Sequence, residues 1–210
     1  MKNLGKIIIF FIILVLFSFI SLLFREQVIF LDELLFNYVN GFYSPVIDIV
    51  LIPLTYFGSI FFWLFLTIIL WVKNDKKLSV YLIYAIILDT LLSLSLKLTF
   101  LRERPYSFMK RNIFLEEDLG PSFPSGHSEK AFSGAVILSS QYGKLKIVFY
   151  IFAILTAISR IYIGIHYPLD VIFGSLIGLI VGNIILNLPT KETQQKIEKS
   201  IRKLKILFKL

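Results

Sequence analysis

The chain has two histidines, His127 and His166, and each stands inside a short polar motif in an otherwise oily sequence. His127 closes Pro124-Ser125-Gly126-His127. His166 lies in Arg160-x5-His166-x3-Asp170, and a basic block, Lys97-x6-Arg104-Pro105, precedes both. Fixed positive charge, an imidazole able to attack, a proton donor and a carboxylate are the parts that phosphate transfer needs. All three blocks fall at the ends of apolar segments, so a lipid phosphate is the first substrate to consider.

Each block also has a plainer reading. The turn at Ser125-Gly126 leads straight into a helix, whose first N–H groups lack intrahelical partners and bind anions. Gly126 lets backbone approach an anion closely. The same turn also serves as an ordinary cap, with Ser125 or Ser128 satisfying the backbone. His166 and Asp170 are four apart at the start of a helix that Pro168 sets near Tyr167. The carboxylate would then accept one imidazole N–H, fix the tautomer and leave the other nitrogen free. The alternative is a pair that only ties the helix to its loop. Lys97 and Arg104 share a face if their helix runs on to Pro105. Arg160 ends the next-but-one helix, and Gly164 turns the chain toward His166. Arginine forks grip phosphate oxygens in pairs and lysine adds a point charge, whereas snorkelling to the head groups is the bland role for all three. For Arg102, Lys110, Arg111 and Lys130, snorkelling or plain solvation is the preferred reading. Glu116, Glu117 and Asp118 read as a solvated loop face.

The elements that must position these residues are membrane helices. The 210 residues are 57% hydrophobic with a mean hydropathy of +0.80, outside the range of ordinary soluble domains. Six apolar runs are long enough to consider as spans: 7–24, 50–72, 78–98, 129–142, 147–165 and 169–188. The fourth is the weakest, being short and opening on Glu129-Lys130. The first follows Lys2 and Lys6 as a signal peptide would, but it is too long and lacks a small-x-small cleavage site, so it reads as a retained helix. The expectation is an all-α polytopic membrane protein: six transmembrane helices in one bundle, with an interfacial amphipathic helix. It forms a single domain over 1–210, with a core at 48–187, an N-terminal helix and interfacial segment at 1–47, and a basic tail at 190–210.

The net charge of +8 is mostly topological. With a cytoplasmic N-terminus, fourteen of the 22 basic residues fall in cytoplasmic loops and the tail, as the positive-inside rule expects. Nucleic acid is therefore not an expected partner; the bilayer is. The same threading puts Lys97, Arg104, His127, Arg160, His166 and Asp170 on the opposite, outer side. In 28–42, Leu31, Leu34, Leu35, Tyr38, Val39 and Phe42 recur at helical spacing opposite Asp32, Glu33, Asn37 and Asn40, which suggests a helix in the outer interface. In the tail, Ile197, Ile201, Leu204 and Phe208 form a stripe amid Lys and Arg. This fits a basic helix on the cytoplasmic leaflet, and equally a solvated tail that only sets topology. Asp89 is the one ionisable residue deep in a predicted span, and a hydrogen bond to a neighbouring helix is the favoured reading. No cysteine occurs, which removes disulfides and thiol chemistry.

Together the blocks resemble the type 2 phosphatidic acid phosphatase family, relatives of bacterial acid phosphatases and vanadium haloperoxidases. The family pattern Lys-x6-Arg-Pro, Pro-Ser-Gly-His, Ser-Arg-x5-His-x3-Asp is met at Lys97…Arg104-Pro105, Pro124-Ser125-Gly126-His127 and Ser159-Arg160…His166…Asp170. No motif position departs from it, and the resemblance extends from about Asp48 to Asn187. It implies that His166 attacks phosphorus, oriented by Asp170, and that His127 protonates the leaving oxygen. Lys97, Arg104, Arg160, Ser125 and the Gly126 amide would hold the phosphate. It implies no metal and no cofactor and a bacterial cytoplasmic membrane; the threading above places both termini inside and the site facing outward. Phosphatidylglycerol phosphate, undecaprenyl diphosphate, phosphatidic acid and lipid A 1-phosphate are all substrates of such enzymes, and the motifs see only phosphate. The alternatives are a lipid-to-lipid phosphotransferase, a non-catalytic lipid transporter or scaffold, and a vanadate-dependent oxidase.

Overall fold

The computed structural model describes residues 25–42, 44–105 and 120–188, all of it helix, turn or loop. The expected first span at 7–24, the tail at 190–210 and the acidic loop at 116–118 lie outside the described residues. The helices are α1 (Arg25–Asn40), α2 (Pro45–Thr55), α3 (Ile60–Val72), α4 (Lys76–Phe100), α5 (Gly126–Gln141), α6 (Lys146–Tyr162) and α7 (Pro168–Leu186).

α1 is the expected amphipathic helix, but its polar side is not wholly solvated. Asp32 and Phe36 are buried against the bundle, while Leu31, Leu34, Leu35 and Tyr38 are exposed. Asn40 Nδ2 donates to the Tyr162 carbonyl at 2.8 Å. Asp32 and Asn40 thus face protein together with Phe36, while Glu33 and Asn37 are exposed beside the outward apolar residues.

The second expected span, 50–72, is not one helix. α2 gives way to a 3-10 turn at Tyr56–Gly58, and Ser59, extended, caps a new helix by accepting from Phe62 N at 3.1 Å. Two local features explain the break: Pro53 has no N–H to give the helix, and Gly58-Ser59 provides a stop followed by an N-cap. α1 and the run Pro45–Gly58 meet at a bend of 116°. With 13 residues, α3 is only about 20 Å long, short of the hydrocarbon thickness.

Three described helical stretches are long and apolar enough to cross a membrane: Lys76–Phe100, Gly143–Tyr162 and Pro168–Leu186. The number rises to four if the bent pair is one span. At 16 residues α5 is shorter than these spans, yet it is the most enclosed helix, buried at almost every position from Ser128 to Leu138. α4, α6 and α7 pack around it. α7 approaches by a spacing of small residues at every fourth position. A Cβ on Gly174 would come 2.5 Å from the Ser125 carbonyl oxygen, one on Gly178 2.2 Å from that of Glu129, and one on Gly182 2.7 Å from Val136 Cβ. Small residues at this spacing let helices touch backbone to backbone in lipid. The outer surface is apolar, with Phe61, Val72 and Ile147 about three-quarters exposed, which suits a lipid-facing wall.

Candidate active site

All three sequence blocks meet at one end of the bundle. α4 stops at Phe100 because Leu101 takes a left-handed conformation (φ 45°), uncommon for a residue with a Cβ. Lys97 and Arg104 therefore do not share a helix face, as an α4 extended to Pro105 would require. They are joined by a loop instead. Residues 101–105 run beside 120–125, with Ser122 N donating to the Arg102 carbonyl at 2.8 Å and Ser122 Oγ to that of Glu103 at 3.0 Å. Both cations then reach the same loop: Lys97 Nζ donates to the Pro121 carbonyl, and Arg104 Nε to that of Gly120 at 2.7 Å. Arg104 also joins the first block to the third. Its Nη1 donates to the Ile165 carbonyl at 2.9 Å and stands 3.4 Å from His166 Nε2.

The second block is set by α5. Ser125 is its N-cap, accepting from Ser128 N at 3.4 Å and from Ser128 Oγ at 3.0 Å. Ser125 N donates to the Asp170 carbonyl at 2.9 Å, tying the start of α5 to the first turn of α7. His127 follows in the first turn, only partly covered. The 3-10 turn closes on it: a Cβ on Gly58 would lie 2.6 Å from His127 Cβ. The charges of Arg160, Lys130, His166 and Arg104 all bear on the His127 ring. Lys130, read from the sequence as snorkelling or solvated, folds back so that Nζ donates to the Gly126 carbonyl at 3.2 Å.

The third block begins with Arg160 in the last turn of α6, almost wholly buried, its Nη1 donating to Thr55 Oγ1 at 2.8 Å. The Arg160 carbonyl accepts from His166 N at 3.3 Å, a reversal made possible by Gly164 at φ 86°. α7 starts at Pro168, with Tyr167 extended before it. His166 is thus just outside the helix and Asp170 in its first turn. The carboxylate Oδ2 accepts from Tyr167 N at 2.9 Å and lies 3.5 Å from His166 Nδ1. Nδ1 faces the carboxylate and Nε2 faces Arg104, so Nε2 is the nitrogen turned toward the cations.

Two residues central to this arrangement were not singled out by sequence reasoning. Arg102 is not merely solvated: its Nη1 donates to Asp170 Oδ1 at 2.8 Å and its Nη2 to Asp32 Oδ2 at 2.5 Å. Asp32 is buried, and burial pushes its carboxyl above the ordinary value while Arg102 pulls it down. Burial alone would lower Arg102, but the carboxylates of Asp170 and Asp32 outweigh it and raise the guanidinium. The signal for Arg102 was its place in the polar run Arg102-Glu103-Arg104-Pro105. Asp32 carried none. Asp89 is bonded to a neighbouring helix, as expected, through Ser133 Oγ at 2.6 Å.

Residues 78–194 match the model of the PAP2 superfamily. The chain is 28% identical over 198 residues to a Sulfolobus acidocaldarius undecaprenyl-diphosphatase, covering 93% of this chain and 96% of that one. Two crystal structures superpose well. The first transmembrane PAP2 type phosphatidylglycerolphosphate phosphatase from Bacillus subtilis gives a TM-score of 0.71 at 25% identity, covering 94% of this chain and 98% of that one. Aquifex aeolicus LpxE gives 0.66 at 36% identity, covering 75% and 96%.

Proposed function

The chain belongs to the PAP2 superfamily and is an integral membrane lipid phosphatase of that type; from that premise we propose that it hydrolyses a lipid diphosphate or phosphate monoester through a phosphohistidine on His166. The observation that carries this reading is the convergence of Lys97, Arg104, Arg160, His127 and the His166–Asp170 pair at one end of the bundle. Nε2 of His166 attacks phosphorus in line as the bond to the lipid oxygen breaks, and His127 gives that oxygen its proton. Water then attacks that phosphorus as the bond to His166 Nε2 breaks, His127 takes a proton from the water, and inorganic phosphate leaves with His166 freed. Arg104 and Arg160 hold the equatorial oxygens with Lys97, the Ser125 cap and the Gly126 amide. These donors are fixed before the reaction and need no reorganisation.

The lipid chain has a place to lie. An apolar cleft of about 410 Å3 runs between α3 and α6 over α5, from Phe57, next in sequence to the Gly58 that closes on His127, to Lys73 and Tyr142 at the far end. Trp63, Ala135, Phe149 and Phe152 line it. A long apolar tail suits such a trough, and the relative matched over nearly its whole length acts on undecaprenyl diphosphate by name. We therefore put a polyprenyl diphosphate first, ahead of phosphatidylglycerol phosphate, phosphatidic acid and lipid A 1-phosphate. In the membrane we read six spans, counting 7–24, the broken pair α2–α3 and the enclosed α5. Both termini are then cytoplasmic, with the site at the outer face of a cytoplasmic membrane.

The test is phosphate release from those four lipids by detergent-purified protein with EDTA present, beside His166→Ala. Release that survives EDTA, vanishes in the variant and is fastest on the prenyl diphosphate is the expected result. Release lost on chelation would overturn the metal-free mechanism, and transfer of phosphate to an added lipid alcohol in place of water would make the chain a phosphotransferase.

A further inference from the structure

We propose that Asp32 and Arg102 form a brace that fixes the Asp170 carboxylate and, through it, the His166 ring, making the amphipathic helix α1 a positioning part of the phosphoryl-transfer machinery. This rests on the histidine mechanism proposed above.

The brace is built from both ends. Arg102 spans two carboxylates, Asp32 at 2.5 Å and Asp170 at 2.8 Å, whose side chains are fully buried while its own is one-quarter exposed. Its guanidinium lies over the Tyr167 ring at 4.1 Å, and that ring packs on Phe36 of α1 with centroids 5.5 Å apart. The second oxygen of Asp32 accepts from Leu169 N at 2.9 Å, at the first turn of α7. Charge, cation–π contact, aromatic packing and a helix cap therefore all join α1 to the same stretch, Tyr167–Asp170, which follows directly on His166.

This divides the work of the Asp170 carboxylate. Oδ1 is taken by Arg102; Oδ2 accepts from Tyr167 N and faces His166 Nδ1. Without Arg102 the carboxylate keeps the Tyr167 amide and Ser122 but loses its charged partner, and the oxygen that faces the imidazole is held less firmly. Anchorage alone would not call for this design. A buried carboxylate is expensive, and an apolar contact would dock α1 at less cost. Asp32 also sets how much of the Arg102 charge reaches Asp170, since one cation is shared between two anions.

That sharing yields a test with opposite signs. His166 must be neutral to attack, so its ionisation forms the acid limb of the kcat/KM profile. The groups facing it are Asp170, Arg104 and His127, with Arg160 and Lys130 beyond; behind Asp170 stand Arg102, Tyr167, Asp32 and Glu33. Arg102→Gln leaves Asp170 less neutralised, so it holds the imidazole proton more strongly and the acid limb moves to higher pH. Asp32→Asn commits Arg102 to Asp170 alone, and the limb moves to lower pH. The remaining groups are common to both variants.

Full-length protein in detergent would be assayed on the best lipid of the panel, with Arg102→Gln, Arg102→Lys, Asp32→Asn and His166→Ala side by side. We expect kcat to fall roughly tenfold to a hundredfold in Arg102→Gln, the range for groups that orient a histidine. Asp32→Asn should fall less, KM should hold in both, and the two limbs should move apart. Arg102→Lys should recover part of the rate. Folded variants with wild-type kcat and unmoved limbs, or limbs moving together, would reduce the brace to an anchor. If Arg102→Gln does not fold, the isosteric Asp32→Asn decides, and loss of both folded proteins would assign the brace to stability alone. An active His166→Ala would sink the underlying mechanism instead, whatever the brace variants do.

Discussion

Asp170 and Asp89 are equally buried, each 0% exposed, yet they are held in opposite ways. Asp170 sits in the first turn of α7 and is gripped by Arg102 from the loop after α4 and by the Tyr167 amide, with His166 at 3.5 Å. Asp89 sits midway along α4 and takes one hydrogen bond, from Ser133 Oγ on α5; among the described residues its other oxygen has no hydrogen-bond partner. Glu129, one turn before Ser133, is just as deep. Burial of an acid is therefore a poor guide to its role. What separates the two is charge pairing from several chain segments: Asp170 is tied to an arginine and an imidazole that must stay in register, whereas Asp89 joins two helices.

The comparison is open to challenge from its strong side first. Asp170→Asn keeps the shape but presents the wrong group to His166 and to Arg102. Turnover should fall by roughly ten-thousandfold, as in other sites where a carboxylate fixes a histidine tautomer. Steady-state phosphate release measures it, and a trapped phosphohistidine should form correspondingly slowly. A loss of only a few fold would remove the distinction from Asp89. Next comes Arg104, which reaches Gly120 through Nε and both Ile165 and His166 Nε2 through Nη1. Arg104→Lys keeps the charge but loses the fork. A drop in kcat of about a hundredfold is expected, with a smaller change in KM; a change in KM alone would make Arg104 a ground-state contact.

The site was more legible than the scaffold, for physical reasons. Lys97, Arg104, His127, Arg160, His166 and Asp170 are costly residues in an apolar chain, so their spacing stands out against the background. Arg160 in the last turn of α6, the turn at Gly164 and the helix start at Pro168 are local chemistry, and they are found where the sequence put them. The break between α2 and α3 was also written locally, in Pro53 and Gly58-Ser59, but the apolar run over 50–72 masked it. The stop of α4 at Leu101 was not, because a left-handed leucine has no sequence signature. Least legible was Asp32. Its bond to Leu169 N spans 137 positions and its bond to Arg102 spans 70, so on its own helix it looks like one more solvated acid. Arg102 failed for the same reason, since a bridging arginine and a snorkelling one read alike until the fold supplies the partners.

The smallest expected effect tests the other half of the comparison. Asp89→Asn retains an acceptor for Ser133 Oγ and replaces a buried carboxyl with an amide of the same shape. If Asp89 only joins α4 to α5, turnover should stay within about threefold of wild type, and the change should fall on stability. Weakening that bond should cost no more than about 1 kcal/mol, the worth of a buried hydrogen bond, which thermal unfolding in detergent would resolve as a modest drop in Tm. Ser133→Ala removes the donor and leaves the carboxyl unpartnered at Oδ2 as well, so it should be the more destabilising of the two and equally silent in kcat. A large loss of turnover in Asp89→Asn, with Tm unchanged, would mean that the buried acids of α4 and α5 take part in proton movement toward the site. The division drawn between the two carboxylates would then fail.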